Sequence, residues 1–428
     1  MNIYINPSPA EQEALCKRPS SDNPVVRARV ESILERVRTG GDKALKELAL
    51  EIDGRAPESL LLSREEIAEA CARVSPKVKE AIADAASNIR AFHTAQMPST
   101  VEVWTTPAVR CIQKPVPIGK VGLYIPGGTA PLFSTVLMLA VPASIAGCKE
   151  VVLCTPAGKD GRVSPEVIYA ASYCGVDKIF TIGGAQAVAA MAYGTESVPK
   201  VDKIFGPGNQ YVTTAKQMLA GKAVAIDMPA GPSEVMVIAD DAADPAFVAA
   251  DLLSQAEHGR DSQVMLVCRS REFAEKVIAE VGVQTESLGR KEFAEAALGQ
   301  SAAVVFDDED AMVAFADIYA PEHLIINTEK PWTIADRVQA AGSVFVGAYT
   351  PESAGDYASG TNHTLPTCGW ARSFSGVNMD SFMRKMTIQV ISREGLEALG
   401  GTIITMAEAE GLQAHANAVK IRLEGDGK

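Results

Sequence analysis

The sequence predicts an α/β protein: two Rossmann-like, incompletely doubly wound parallel-sheet domains, with helices near the N-terminus and a helical C-terminal tail. Three observations predict it. Short β-rich runs alternate with helical runs from Lys120 to about Gly221. The same rhythm resumes after Pro232. Ahead of both, residues 24 to about 95 are charged, with apolar positions recurring at three and four.

The elements follow in order. The opening MNIYINPSPAEQEALCKRPSS has no charged region leading into an apolar one, so no signal peptide is expected, and residues 1–24 read as an arm. VVRARVESILERVR, KALKELALEI and SREEIAEACARV read as helices, broken at Gly40–Gly41 and Asp53–Gly54. In the first rhythm, VGLYI leads to PGG and FSTVLMLA, EVVLC to PEVIYAASYCG, DKIFTI to GGAQAVAAMAYG, and DKIF to GPGNQYVTTAKQMLAG. The apolar run Val136–Cys148 is too short to span a bilayer and contains Pro142, so it reads as a buried helix. In the second rhythm, EVMVIAD, SQVMLVC, AAVVF, LIIN and SVFVG read as strands. After Gly347 regular pattern is lost for about thirty residues, a length that is usually functional in a compact protein. The expected domains are an arm (1–24), a discontinuous α/β domain (25–118 with 234–378), a Rossmann-like α/β domain (119–233), and a helical tail (379–428).

The formal net charge of -13 argues against nucleic acid or an anionic membrane as a partner. A 47% hydrophobic composition supplies a large core. The eight cysteines (16, 71, 111, 148, 154, 174, 268 and 368) form no C-x-x-C, and most sit in apolar runs, so they read as inert thiols of a cytoplasmic protein.

Three strand-to-helix junctions are glycine-rich: Pro126-Gly127-Gly128, Gly183-Gly184-Ala185-Gln186 and Gly206-Pro207-Gly208-Asn209. Such turns let backbone approach a phosphate and offer helix N–H groups to it. Turns of this fold also favour glycine for conformational reasons alone, and none is G-x-G-x-x-G. Together they suggest a nicotinamide cofactor across the carboxyl ends of one sheet.

Of five histidines, His93 has no chemical neighbours in sequence. Gln255 and His258 are i and i+3 at a helix end and share a face, although the helix dipole alone also favours a histidine there. Glu322-His323 at the start of a strand is a plausible acid–base pair, or a solvated turn. The loop supplies Asp356 and His363, and the tail Glu410 and His415. Such donors suit a divalent ion such as zinc, but spacing alone does not define a site.

The motifs VGLYIPGGTAPL, IGGAQAVAA, KIFGPGNQYV, DMPAGPSEV, LLSQAEHG, APEHLIIN, PESAGDYASGTNHTLPT and EGLQAHANAV resemble the histidinol dehydrogenase family over nearly the whole chain from residue 24. The resemblance implies a zinc-dependent homodimer that oxidises L-histidinol to L-histidine through histidinaldehyde, reducing NAD twice. It implies zinc ligands at Gln255, His258, Asp356 and His415, the last supplied across the dimer. It implies His323 as general base and Glu322 as the carboxylate that activates water. Ser233, His363 and Glu410 match substrate contacts alongside those residues, and Tyr124, Gln186 and Asn209 match NAD contacts. Two departures are Ala320, where glycine is common, and CGWARSFSG after Thr367. A dehydrogenase of another small polar alcohol is the competing enzyme reading, and a catalytically idle metabolite-binding regulator the competing non-enzyme one.

Overall fold

A computed structural model describes residues 1–18, 23–127, 131–158 and 160–425. Gly128 of the first glycine turn lies outside them. The strands are β1 (Asn2–Ile5), β2 (Val101–Thr106), β3 (Val109–Pro117), β4 (Lys120–Tyr124), β5 (Glu150–Thr155), β6 (Lys178–Thr181), β7 (Lys203–Phe205), β8 (Ala225–Ile226), β9 (Glu234–Ala239), β10 (Gln263–Cys268), β11 (Ala302–Val305), β12 (His323–Asn327), β13 (Ser343–Val346) and β14 (Met383–Ile391).

The chain divides into two compact units, Met1–Gln96 with Ile118–Phe382, and Met97–Pro117 with Met383–Lys428. The larger unit holds two parallel sheets, ordered β6-β5-β4-β7-β8 and β1-β11-β10-β9-β12-β13. Both are incompletely doubly wound in the same way. Three strands run outward in one direction, then the chain returns past the first strand and continues on its other side. Each sheet therefore has a switch point, between β4 and β7 in one and between β9 and β12 in the other. Every residue of β9, β10 and β12 is buried, as their unbroken apolar runs require when helices cover both faces.

One expectation about the larger unit is corrected. The arm supplies β1, which joins the six-stranded sheet as its edge, with Asn2 opposite Ala302. The N-terminal helices do not cover the second rhythm. Pro24–Asp53 packs on the helices 184–193 and 210–219, Arg64–Arg73 on 165–173, and Pro76–Ala95 on 133–146, all belonging to the five-stranded sheet. The reason is complementary packing. Val26, Val30, Ile33, Leu34, Val37, Leu45 and Leu48 join one buried cluster with Ala185, Ala187, Ala189, Ala190 and Ala192, whose small side chains admit a second helix layer. The expected break at Gly40–Gly41 is present: Gly41 takes φ 52 and ψ -138, outside helix geometry, so two helices meet there at a kink, and the Glu196 carboxylate accepts from the Asp42 amide beside it at 2.8 Å.

The smaller unit corrects the tail. It opens on β14, which pairs antiparallel with β3, and β3 with β2; the helices Arg393–Ala409 and Gln413–Glu424 follow. β2 and β3 lie in a stretch read with the α/β domain because their alternation is weak. Val101, Val103 and Trp104 on β2, and Met386, Ile388 and Val390 on β14, are exposed.

The run expected as a buried helix is one: Phe133–Ala146 is apolar on all sides, buried almost throughout, and closed by Gly147 at φ 79. Among the described residues no helix is long and apolar enough to cross a membrane. All eight cysteines are free thiols.

Two glycines test how tightly the five-stranded sheet is built. Gly206 takes φ 119, and a Cβ there would strike the Tyr124 carbonyl; Gly147 takes φ 79 with open space beside it. Gly147→Ala should therefore cost only the left-handed strain, about 1–2 kcal/mol. Gly206→Ala should cost more than about 3 kcal/mol, because backbone must also move. Urea unfolding of both variants measures the difference, and equal losses would refute the close approach.

Candidate active site

Helices that connect parallel strands run antiparallel to them. The helix Pro245–Ala256 thus leaves the carboxyl end of β9 and returns to the amino edge of the six-stranded sheet. Gln255 lies in its last turn, and His258 follows, its amide bonded to the Gln255 carbonyl at 3.2 Å. At the same edge Ser233 precedes β9, and Glu322 precedes β12, whose first residue is His323. His323 stands opposite Val235 in the ladder, so the pair sits at the switch point between β9 and β12. This is the amino edge, whereas switch-point ligands of open sheets ordinarily bind at the carboxyl edge.

The loop after β13 completes the cluster. It contains the helix Glu352–Tyr357, which brings Glu352 and Asp356 to the site. His363 spans the two sheets: its Nδ1 donates to the Asp356 carbonyl at 3.0 Å, and its Nε2 meets the Thr135 hydroxyl, from the helix after β4, at 3.1 Å. Asn362 ties the same loop to the Met138 carbonyl at 2.6 Å. The segment is thus far more ordered than its irregular sequence suggests.

The geometry around His323 is specific. Its Nδ1 donates to the Glu234 carbonyl at 3.2 Å, which fixes the tautomer. Its Nε2 is buried without a hydrogen-bond partner among the described residues, 3.8 Å from Asp356 Oδ1. Glu322 Oε2 accepts from the Glu234 amide at 2.9 Å and lies 3.6 Å from His323 Nδ1. Ligand atoms of His258, Glu352 and Asp356 lie within 4.8 Å of one another. The Gln255 amide faces Glu352; a carboxylate only accepts, so the amide nitrogen turns to it and the amide oxygen turns away.

Burial sets the charge states. It lowers His323 to about 3 and His363 to about 4, because both imidazoliums would be cut off from water. It raises Asp356 to about 6 against the pull of His258. It holds Glu322 well above the usual range, helped by the charges of Glu234 and Asp356, and does the same to Glu352, where Asp356 and Glu322 add to it. His258 is exposed by surface area, yet its crowded ring lies below the ordinary value, with Asp356 pulling the other way.

The sequence reading missed Glu352 and Glu234. Glu352 lies four residues before Asp356 on one helix face, and Glu234 is a lone charge opening an apolar run; both were visible signals. Ala320 has φ 50, a left-handed conformation that explains a preference for glycine there.

The residues matched to NAD contacts lie at the turns on the carboxyl edge of the five-stranded sheet. Tyr124 ends β4; its buried hydroxyl, pushed up to about 12 by desolvation, accepts from the Gly184 amide at 3.1 Å. Gln186 is buried in the first turn of 184–193, and Asn209 caps 210–219 through the amides of Tyr211 and Val212 at 3.0 and 3.2 Å. A cavity of about 250 Å³ beyond the ends of β4 and β5 is lined by Arg73, Pro126, Gly127, Pro156 and Arg162, and Tyr124, Gln186 and Asn209 do not line it. Glu410 and His415 lie exposed in the smaller unit, Glu410 ending one helix and His415 within the next.

Imidazole nitrogen NMR of metal-free protein tests the charge states. At about pH 6 both His323 and His363 should be neutral with the proton on Nδ1, whereas an ordinary histidine titrates near ~6.5. A midpoint near that ordinary value for either would contradict the burial argument.

The comparisons agree with this architecture. The histidinol dehydrogenase family profile matches residues 16–423. Histidinol dehydrogenase of Bacteroides fragilis is 53% identical over 424 residues, covering 99% of each chain. That of Vibrio vulnificus is 51% identical over 425 residues, covering 99% of this chain and 98% of its own. The crystal structure of histidinol dehydrogenase from Elizabethkingia anophelis matches with a TM-score of 0.96 at 48% identity, covering 99% of this chain and 98% of that one. On the match along its sequence and on its fold alike, the chain belongs to the histidinol dehydrogenase family.

Proposed function

We propose that this chain oxidises L-histidinol to L-histidine through L-histidinaldehyde, with NAD as acceptor and zinc as resident metal, in the last steps of histidine biosynthesis. The observation that carries the reading is the geometry of His323: its Nδ1 is tied to backbone, and its Nε2 has no partner among the described residues and lies 3.8 Å from Asp356. A general base acts from an unprotonated nitrogen free to reach the substrate, and His323 offers one.

His258 nitrogen with Asp356 and Gln255 oxygens fits a borderline divalent ion, and His415 of the partner subunit would complete the set. When bound, zinc supplies a fixed anchor for the substrate's imidazole and amino nitrogens without changing redox state. NAD supplies the hydride acceptor, and the turns carrying Tyr124, Gln186 and Asn209 would hold it.

His323 takes the alcohol proton at Nε2 as hydride leaves the carbinol carbon. Glu322 then removes a proton from water as the water adds to the aldehyde carbon, and the protonated His323 returns its proton to the carbonyl oxygen, giving the hydrate and a neutral imidazole. His323 takes one hydroxyl proton of the hydrate as the second hydride leaves, giving the carboxylic acid, which loses its proton to become the carboxylate. His363 and Ser233, with Glu410, would orient the substrate. No thioester is needed, in keeping with thiols that burial raises, Cys368 to about 11 among them. The exposed apolar residues of β2 and β14 favour a homodimer, and the composition a cytoplasmic enzyme.

His323→Asn should cut turnover on the order of 10²–10⁴-fold while bound zinc stays at the parent level. Metal analysis beside steady-state rates decides this; parallel loss of zinc and rate would remove the base assignment. Glu322→Gln should block oxidation of supplied histidinaldehyde more than oxidation of histidinol. Parent-rate aldehyde oxidation in that variant would exclude Glu322 as the water-activating group.

A further inference from the structure

We propose that Arg18, on the N-terminal arm, is a positioning residue for the oxidation site and acts through Glu234. The inference rests on the reading of His323 and Glu322 as the acid–base pair.

Glu234 opens β9 and carries three separate duties. Its amide donates to Glu322 Oε2 at 2.9 Å, and its carbonyl accepts from His323 Nδ1 at 3.2 Å. Its carboxylate, 1% exposed, accepts from Arg18 Nε at 2.9 Å and Nη2 at 2.5 Å on one oxygen, and from the Cys368 amide on the other. The backbone of one residue thus holds both members of the pair, and its side chain is anchored by a residue from the far end of the chain.

Arg18 grips the second strand of the switch point as well. Its guanidinium lies 3.4 Å from the centre of the Tyr319 ring, and Nη2 donates to the Tyr319 carbonyl at 2.7 Å. Tyr319 ends the helix Glu309–Tyr319, and the left-handed Ala320 and then Pro321 lead into Glu322-His323. A single guanidinium therefore ties the head of β9 to the segment entering β12. Nη1 donates to the Cys16 carbonyl at 2.8 Å and locks the arm's own end. A planar fork can serve carboxylate, carbonyl and ring together; an ammonium cannot.

Without Arg18, a buried carboxylate loses its counter-charge and must move toward water or take up a proton. Either change shifts the backbone that carries both hydrogen bonds, and misplacement on the order of 1 Å costs about 10²-fold in rate. The Glu234 carboxylate is taken up by Arg18 and the Cys368 amide and is not one of the clustered donors His258, Glu352 and Asp356, so metal binding should not follow.

The test compares zinc-loaded R18M, R18K and H323N with Gly147→Ala as a control for lost stability alone. R18M should lower kcat on the order of 10²-fold, shift the acidic limb of the pH profile, and leave zinc content and the KM for histidinol near the parent values. R18K should recover part of the loss, and Gly147→Ala should keep the parent kcat. A folded R18M with parent kcat and pH profile, merely easier to unfold, would overturn the proposal; if R18M does not fold, R18K at parent kcat does so. H323N separates the two levels. If it retains activity, the base assignment fails; if it is inactive while R18M is at the parent rate, only the role of Arg18 fails.

Discussion

At the head of β9 the amide and carbonyl of Glu234 hold Glu322 and His323 at 2.9 and 3.2 Å. The parallel pairing of β9 with β12 makes this possible, since it sets His323 opposite Val235 and so beside Glu234. The rest of the site is arranged around that fixed pair. The 245–256 helix returns Gln255 and His258 to the same edge, and the loop after β13 lays Asp356 and His363 across it. His363 then meets Thr135, which joins the edge to the helix that follows β4 of the other sheet.

Electrostatics alone would not favour this arrangement. Burial opposes every charge in the cluster: it pushes carboxyls up and imidazoles down, and Glu322, Glu352 and Asp356 repel one another when ionised. A polar cluster of this kind is stabilised when a cation enters it. The mutual repulsion of the carboxylates and the neutrality of His323 both follow from exclusion of water from the amino edge of the sheet.

Much of this was legible in the sequence because parallel strands covered on both faces must be continuous apolar runs. EVMVIA and QVMLVC could be little else, and the glycine turns marked the carboxyl edge of the other sheet. The assignment of the N-terminal helices failed because amphipathic periodicity says that a face is buried, not against what; the alanine-rich 184–193 helix decided it. β14 was missed although Met386, Ile388 and Val390 alternate with Thr387 and Gln389: the run lies between an irregular loop and a helical tail, and none of its residues is fully buried. Glu234 and Arg18 were passed over because a charge beside an apolar run reads as solvated until the fold brings its partner from 216 positions away.

The central claim is that one site carries an alcohol through both oxidations with bound metal. The most direct test follows NADH formation from L-histidinol and NAD with chelator-stripped enzyme and with the same enzyme after zinc is restored. The account predicts no rate in the stripped state and, with zinc, about two NADH for each histidinol consumed, since each oxidation delivers one hydride. About one NADH with free aldehyde released, or an unchanged rate in stripped enzyme, would contradict it.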